Sequence, residues 1–194
     1  MQLKSCGVPF NATVTAAKAA GDCCADRSLL QGDCFSADGR YRYALWRKFR
    51  EDGAHYCVIM MNPSLADRSH SDPTVTRCER FVLRWGGRGL DVVNLFGLVS
   101  PKPEVLRTVD NPVDEGNGEN DAHIRFAVSR SDFVLLAWGD LPRYPKFNER
   151  IAQVHALLES CNVHALTVTK SGQPGHPLYL LAKTEPRPYH WPAA

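Results

Sequence analysis

The stretch Tyr56-Cys57-Val58-Ile59-Met60-Met61, closed by Asn62-Pro63-Ser64, decides the fold. Six nearly continuous apolar residues cut off by an Asn-Pro turn predict a strand buried on both faces, as in a parallel sheet covered by helices above and below. The pattern recurs at Leu90 to Phe96, Phe133 to Trp138 and Val163 to Thr169. Three helical segments lie between these strands. In the first, Val75, Cys78, Val82 and Trp85 recur at intervals of three, four and three, which makes one apolar stripe. Asp72 and Pro73 start that helix as cap and first-turn proline, and Gly86-Gly87 ends it. The second runs from Asn120 to Arg130, and the third from Pro145 to Glu159 with Ile151, Val154, Leu157 and Leu158 inward. Strand and helix in alternation require right-handed crossovers, so the expected fold is α/β: a three-layer αβα sandwich around a mainly four-stranded parallel sheet.

Working outward, Cys34-Phe35-Ser36 and Tyr41 to Trp46 flank Ala37-Asp38-Gly39-Arg40, which reads as an N-terminal β-hairpin. Simple alternation puts Tyr41, Tyr43 and Leu45 on one face of its second strand, and Arg42 and Trp46 on the other. Residues 1–33 are small and unpatterned and read as a weakly structured arm, leaving 34–194 as a single domain. An acidic, Pro- and Gly-punctuated loop covers 102–119, and a Pro-rich tail closes the chain.

The 194 residues are 44% hydrophobic and 23% charged, which excludes wholesale disorder and fibrous repeats. No apolar run approaches the ~20 residues of a membrane-spanning helix. Seven cysteines occur without a C-x-x-C clip, and no secretory leader is recognisable, so free thiols, a cytoplasmic location and no metal are expected. Neither a Walker-type phosphate loop nor G-x-G-x-x-G nor G-x-S-x-G is present, and no cofactor is expected. Lys plus Arg number 23 against 21 for Asp plus Glu, a net charge of +2. Any grip on nucleic acid must therefore come from local basic stretches. Two exist: Arg40, Arg42, Arg47, Lys48 and Arg50, then Arg68, Arg77, Arg80, Arg84 and Arg88.

In an open α/β sheet, ligands bind outside the carboxyl ends of the strands. Four segments fall there: Asn62-Pro63-Ser64, Asn94-Leu95-Phe96, Gly139-Asp140 and Gly172 to Tyr179. Asn62 either projects into the crevice or caps its own turn. Asn94 ends an apolar strand and must find partners or face a cavity; its amide suits the edge of a base. His176 sits in Gly172-Gln173-Pro174-Gly175-His176-Pro177-Leu178-Tyr179, where two prolines and two glycines fix the loop path, and its imidazole can donate to a developing oxyanion. Trp138 is expected under the crevice, with Gly139 letting backbone approach a ligand.

Taken in order, the Asn-Pro, Asn, Trp-Gly and His-Pro-x-x-Leu motifs resemble those of the uracil-DNA glycosylase superfamily. More closely, the chain resembles a bacterial and phage family of unknown function. The residues that carry this are Tyr41-Arg42-Tyr43 with Leu45-Trp46-Arg47, Met61-Asn62-Pro63-Ser64 with Ala66-Asp67, Asp72-Pro73-Thr74 with Arg77, Asn94-Leu95-Phe96, Trp138-Gly139 and His176-Pro177-Leu178-Tyr179. The glycosylase resemblance implies Asn62 for the hydrolytic water, Asn94 for base recognition, His176 for the departing base, and Leu178 or Tyr179 near the wedge that fills the stack. Under that reading Phe96 or Tyr43 is the stacking platform, or simply core, and Ser64 lies beside the base. Arg42, Arg47, Arg77 and Lys170 join Leu178 and Tyr179 on the DNA, although Arg77 can instead bridge loops. The expected protein is a monomer that hydrolyses the N-glycosidic bond of an unusual base flipped out of DNA. Two alternatives stand: a non-catalytic nucleobase- or nucleotide-binding module, and a hydrolase of free nucleosides or nucleotides.

Overall fold

The computed structural model describes residues 30–64, 72–114, 118–140 and 145–192. Ala66, Asp67 and Arg68, and all of the arm before residue 30, lie outside them. Seven strands form one sheet. They are β1 (Gln31–Phe35), β2 (Arg42–Lys48), β3 (His55–Met60), β4 (Gly89–Asn94), β5 (Phe133–Leu136), β6 (Val163–Ala165) and β7 (Arg187–Pro188). The helices are α1 (Pro73–Arg84), α2 (Glu119–Ser129) and α3 (Pro145–Leu157), with short 3₁₀ turns at Pro103–Arg107 and Pro177–Tyr179. In space the strands run β1-β2-β4-β3-β5-β6-β7. Strands β4, β3, β5 and β6 are mutually parallel, whereas β1, β2 and β7 join antiparallel at the two edges.

Every residue of β3 is buried, and alternate side chains go opposite ways. Tyr56, Val58 and Met60 meet Val75, Cys78, Phe81 and Val82 of α1, while Cys57 and Ile59 join Ile124, Ala127 and Val128 of α2 and Phe147 and Val154 of α3. Coverage on both faces is what a continuous apolar run requires. Asp72 caps α1 by accepting the Val75 amide at 2.7 Å, with Pro73 in the first turn. No described helix is long and apolar enough to cross a membrane.

Three expectations are corrected. The hairpin is not an appendage: β1 starts at Gln31, earlier than Cys34, and β2 extends the main sheet by pairing with β4. Nor does β2 alternate simply. Cys34 pairs with Ala44 but Phe35 with Arg42, so Tyr43 is an extra residue and the strand is bulged. The bulge leaves Tyr43 and Ala44 in the α2-side cluster and turns Leu45 to the α1 side. Finally, Cys34 and Cys161 each belong to a disulfide, against the expectation of free thiols, while Cys57 and Cys78 are buried thiols.

Candidate functional site

Because β2 runs antiparallel to β4, its first residue comes level with the carboxyl end of β4, where the Arg42 amide donates to Gly97 O at 2.8 Å. The carboxyl ends of β3 and β4 open here into a cavity of about 160 Å³. Sites for drug-sized ligands occupy ~300–1,000 Å³, so this one suits a single ring system. Its apolar lining is Met60, Met61, Val75 and Val92, with Pro101 and Pro103 at the rim. Its polar wall comes from six segments: Arg42 of β2, Asn62 and Ser64 after β3, Asp72 and Thr74 at the start of α1, Asn94 ending β4, Ser100 beyond it, and His176 after β6. The expected convergence of Asn62, Asn94 and His176 on one hollow is therefore found.

Asn94 is 2% exposed, and its Nδ2 has no hydrogen-bond partner among the described residues. A buried amide without an acceptor costs about 1–3 kcal/mol, which a ligand carbonyl would recover. Its strand end is braced from the other face. Asn120 Nδ2 donates to Asn94 O at 3.0 Å and to Leu95 O at 3.2 Å, and Arg150 Nε donates to Leu95 O at 2.6 Å.

Asn62 is anchored through its NH₂ group, which donates to Ser100 O at 2.8 Å and Pro63 O at 3.0 Å. Ser64 Oγ donates to Asp72 Oδ2. Thus Asp72, read from the sequence only as a cap, is also the carboxylate of the cavity. Cys78 offers no nucleophile, because burial first, then the charges of Asp72 and Glu79, push its thiol up to about 12.

His176 is half-buried at the start of the 3₁₀ turn, and its Nδ1 accepts the Leu178 amide at 3.4 Å. That contact assigns the proton of the neutral ring to Nε2. Burial holds the imidazole below the ordinary histidine value, and Asp72 pulls the opposite way. Trp138 and Gly139 act on this loop rather than on a ligand. Trp138 lies in the α2/α3-side core, and its indole N–H donates to Gln173 Oε1 at 2.8 Å. Gly139 has φ +79°, its amide donates to Pro174 O at 2.8 Å, and a Cβ there would lie 3.0 Å from His176 Cβ. Glycine is needed here so that His176 can approach.

Other expected site residues fall elsewhere. Phe96 and Tyr43 do not line the cavity: Phe96 meets Phe147 edge-on at 5.1 Å, and Tyr43 stacks on His123 at 4.9 Å, both 2% exposed in the core. Arg42 is a buried wall of the cavity, 2% exposed, and not a surface phosphate contact. Arg47 is buried too, bonded to Trp46 O at 2.9 Å and 3.4 Å from Glu79. Arg77 takes the loop-bridging option, donating to Leu180 O and stacking 4.8 Å over Phe81. Lys48, Arg84 and Arg88 are ion-paired with Glu51, Glu185 and Asp132. Lys170 is exposed, Leu178 is half-buried beside Arg77 and Arg80, and Tyr179 is 85% exposed.

Sequence reasoning missed Asp72, Asn120 and Arg150. For Asp72 the signal existed, since a cap on the helix entered from the β3 loop must share that loop's rim. Asn120 and Arg150 look like ordinary solvent-facing positions in helices of weak amphipathicity. A larger hollow of about 780 Å³, between residues 165–168 and 179–188, holds Tyr179 but none of the converging polar groups. Among the described residues no cluster of His, Cys, Asp and Glu could hold a metal.

Compared with known proteins, residues 42–178 match a family model described as "Protein of unknown function (DUF1643)", a span that takes in every polar residue of the cavity wall. No curated protein and no solved structure matches.

Proposed function

The chain belongs to the DUF1643 family, and from its crevice we propose that it is an N-glycosylase that hydrolyses the bond between sugar and base at an unusual or modified base flipped out of DNA. One observation carries this reading: Asn94, whose buried Nδ2 has no partner among the described residues, and His176, whose neutral ring carries its proton on Nε2, line the same single-ring cavity. An amide donor and an imidazole donor meeting on one flat ring suit a base with carbonyl oxygens.

The chemistry needs no strong nucleophile. As the C1′–N bond lengthens, its electron pair moves into the base and onto a carbonyl oxygen. A neutral imidazole held by the Leu178 amide donates Nε2–H to that oxygen without having to reorganise, and one such donor contributes about a hundred- to a thousandfold in rate. Asn94 holds the base in register. Asn62, anchored through its NH₂ on the Ser100 carbonyl, keeps Oδ1 to orient a water toward the sugar carbon. Extrusion costs a few kcal/mol, least at a mispaired or damaged base. Leu178 and the exposed Tyr179, directly after His176, are the groups to occupy the gap left in the stack. Arg80 lies beside Leu178 in space, and Lys170 and Lys183 flank that ridge in sequence.

The test is release of base from duplex and single-stranded DNA carrying assorted modified bases, read as alkali-labile strand breaks and by mass spectrometry of the free base. Product from the natural sequence, lost in Asn94→Ala and His176→Ala, is the expected result. Apparent DNA affinity falls steeply with salt if phosphates are gripped. Specific binding of a free base with no product from any substrate overturns catalysis and leaves a binding module. The ion-pairing of Lys48, Arg84 and Arg88 favours a second reading, hydrolysis of small nucleosides, which free base from nucleoside alone identifies.

A further inference from the structure

We propose that Ser64 and Asp72 form the proton-accepting couple for the attacking water, an inference that rests on the N-glycosylase reading above and replaces the role of Ser64 as a base contact. A water that adds to the sugar carbon must shed a proton, and a carboxamide such as Asn62 is not basic enough to take it. Both hydrogens of the Asn62 NH₂ are, moreover, directed at the Ser100 and Pro63 carbonyls. Asn62 orients the water; another group has to deprotonate it.

Asp72 is the carboxylate on the cavity wall, and Ser64 is the hydroxyl beside it. Their bonding sets the direction of transfer. Asp72 Oδ1 is engaged by the Val75 amide at 2.7 Å, which fixes the carboxylate at the head of α1. Asp72 Oδ2 accepts the Ser64 hydroxyl, so the lone pairs of Ser64 Oγ are left to receive a proton. In the reaction the water oxygen bonds to the sugar carbon as the C1′–N bond breaks with its electron pair on the base. The water proton passes to Ser64 Oγ while Ser64's own proton passes to Asp72 Oδ2. The base departs as an anion held by His176 and takes its proton from solvent, and Asp72 returns its proton to solvent. Atoms and charge balance with no other reactant. Ser64 touches the water; Asp72 acts through it as a positioning and relay group.

The experiment measures single-turnover base release from the DNA panel at pH 4.5–9, in H₂O and in D₂O, for wild type, Asp72→Asn, Ser64→Ala and Ser64→Thr, with thermal unfolding of each. Asparagine caps a helix about as well as aspartate, so Asp72→Asn keeps the fold. The expected loss is about 10²–10⁴-fold in rate for Asp72→Asn and Ser64→Ala, the range of a general base. Ser64→Thr, which keeps the hydroxyl, restores most of it. The solvent deuterium isotope effect on the wild-type step falls toward one in Asp72→Asn, which a merely structural role would not cause. Wild type that turns over while Asp72→Asn or Ser64→Ala matches it within about threefold, or while Asp72→Asn keeps the wild-type isotope effect, overturns the relay and leaves the glycosylase standing. Wild type that releases no base from any substrate overturns the parent reading, and the relay falls with it.

Discussion

Gly139→Ala separates the two jobs that one glycine performs. Its φ of +79° is in the left-handed region, which costs a residue with a Cβ roughly 1–2 kcal/mol. In a chain of this size each kcal/mol moves Tm by about 2–4 °C, so a loss of about 2–8 °C is expected. The second job is local. The new methyl would sit 3.0 Å from His176 Cβ where 3.4–4 Å is ordinary, so the His-Pro loop must yield by a few tenths of an ångström. Because a displacement of ~1 Å at a reacting group can cost a hundredfold, the base-release rate should fall about 10- to 100-fold. Gly86→Ala is the matched control: its φ is +77°, but nothing lies within 4 Å of the added Cβ. Chemical denaturation of both variants should give similar stability losses, and single-turnover release of base should fall only in Gly139→Ala. Equal rates in the two variants, or a Gly139→Ala protein that turns over like wild type, would refute the reasoning that this glycine exists to admit His176.

Asn94→Leu removes a buried donor that has no partner among the described residues, so unfolding free energy should stay level or rise by about 1 kcal/mol while base release falls at least about a hundredfold; denaturant titration beside the release assay reads both. Burial lowers the values of His164 and His176, and each is stabilised neutral, so their contribution is complete above the unfolded value of about 6.5 and is lost as pH falls through the lower folded values. Tm should decline below pH 6.5, less steeply in a His164→Gln/His176→Gln double variant, and identical slopes would remove these histidines as the cause. Arg150→Met strips a buried cation from Leu95 O and from Asp121 at 2.5 Å and should cost about 3 kcal/mol, measured by denaturant unfolding; a loss under 0.5 kcal/mol would show that the β4 end needs no brace.

The parallel core was legible because burial on both faces leaves little room for polar residues: after His55, β3 is one apolar run, and β4 breaks its own only with Asp91, which lies beside His55 and Arg130, before ending in Asn94. The α1 limits were legible for a different reason, since Asp72-Pro73 and Gly86 are forced by the chemistry of helix ends. Other features leave no such mark. The bulge at Tyr43 adds a residue without changing the composition of the strand, so every face assignment beyond it came out inverted. β7 is two residues long and includes a proline, a pattern indistinguishable from a tail. Within the site, Asn62 and Asn94 stood out as polar groups at the ends of apolar strands, and His176 by the prolines and glycines that fix its loop. Arg42 did not, because a cation walling a cavity is written with the same letter as one in solvent. Asn120 and Arg150 brace the site only through backbone carbonyls of β4, and backbone partners are invisible until the chain is folded.

The attachment of the His176 loop has an architectural consequence. The strand that leads into it, β6, is only three residues long, yet the loop is fastened at Gln173, Pro174 and His176 to the tip of its neighbour, β5, through Trp138 and Gly139. Mechanically the histidine is held from two sides, by the adjacent strand and by the continuation of its own, where the Gly175 amide donates to Thr167 O and the Thr169 amide to Gln173 O, both at 2.8 Å. A designer who moved residues 172–180 into another scaffold would leave both holds behind; the unit that travels intact is residues 167–180 together with the Trp-Gly clasp.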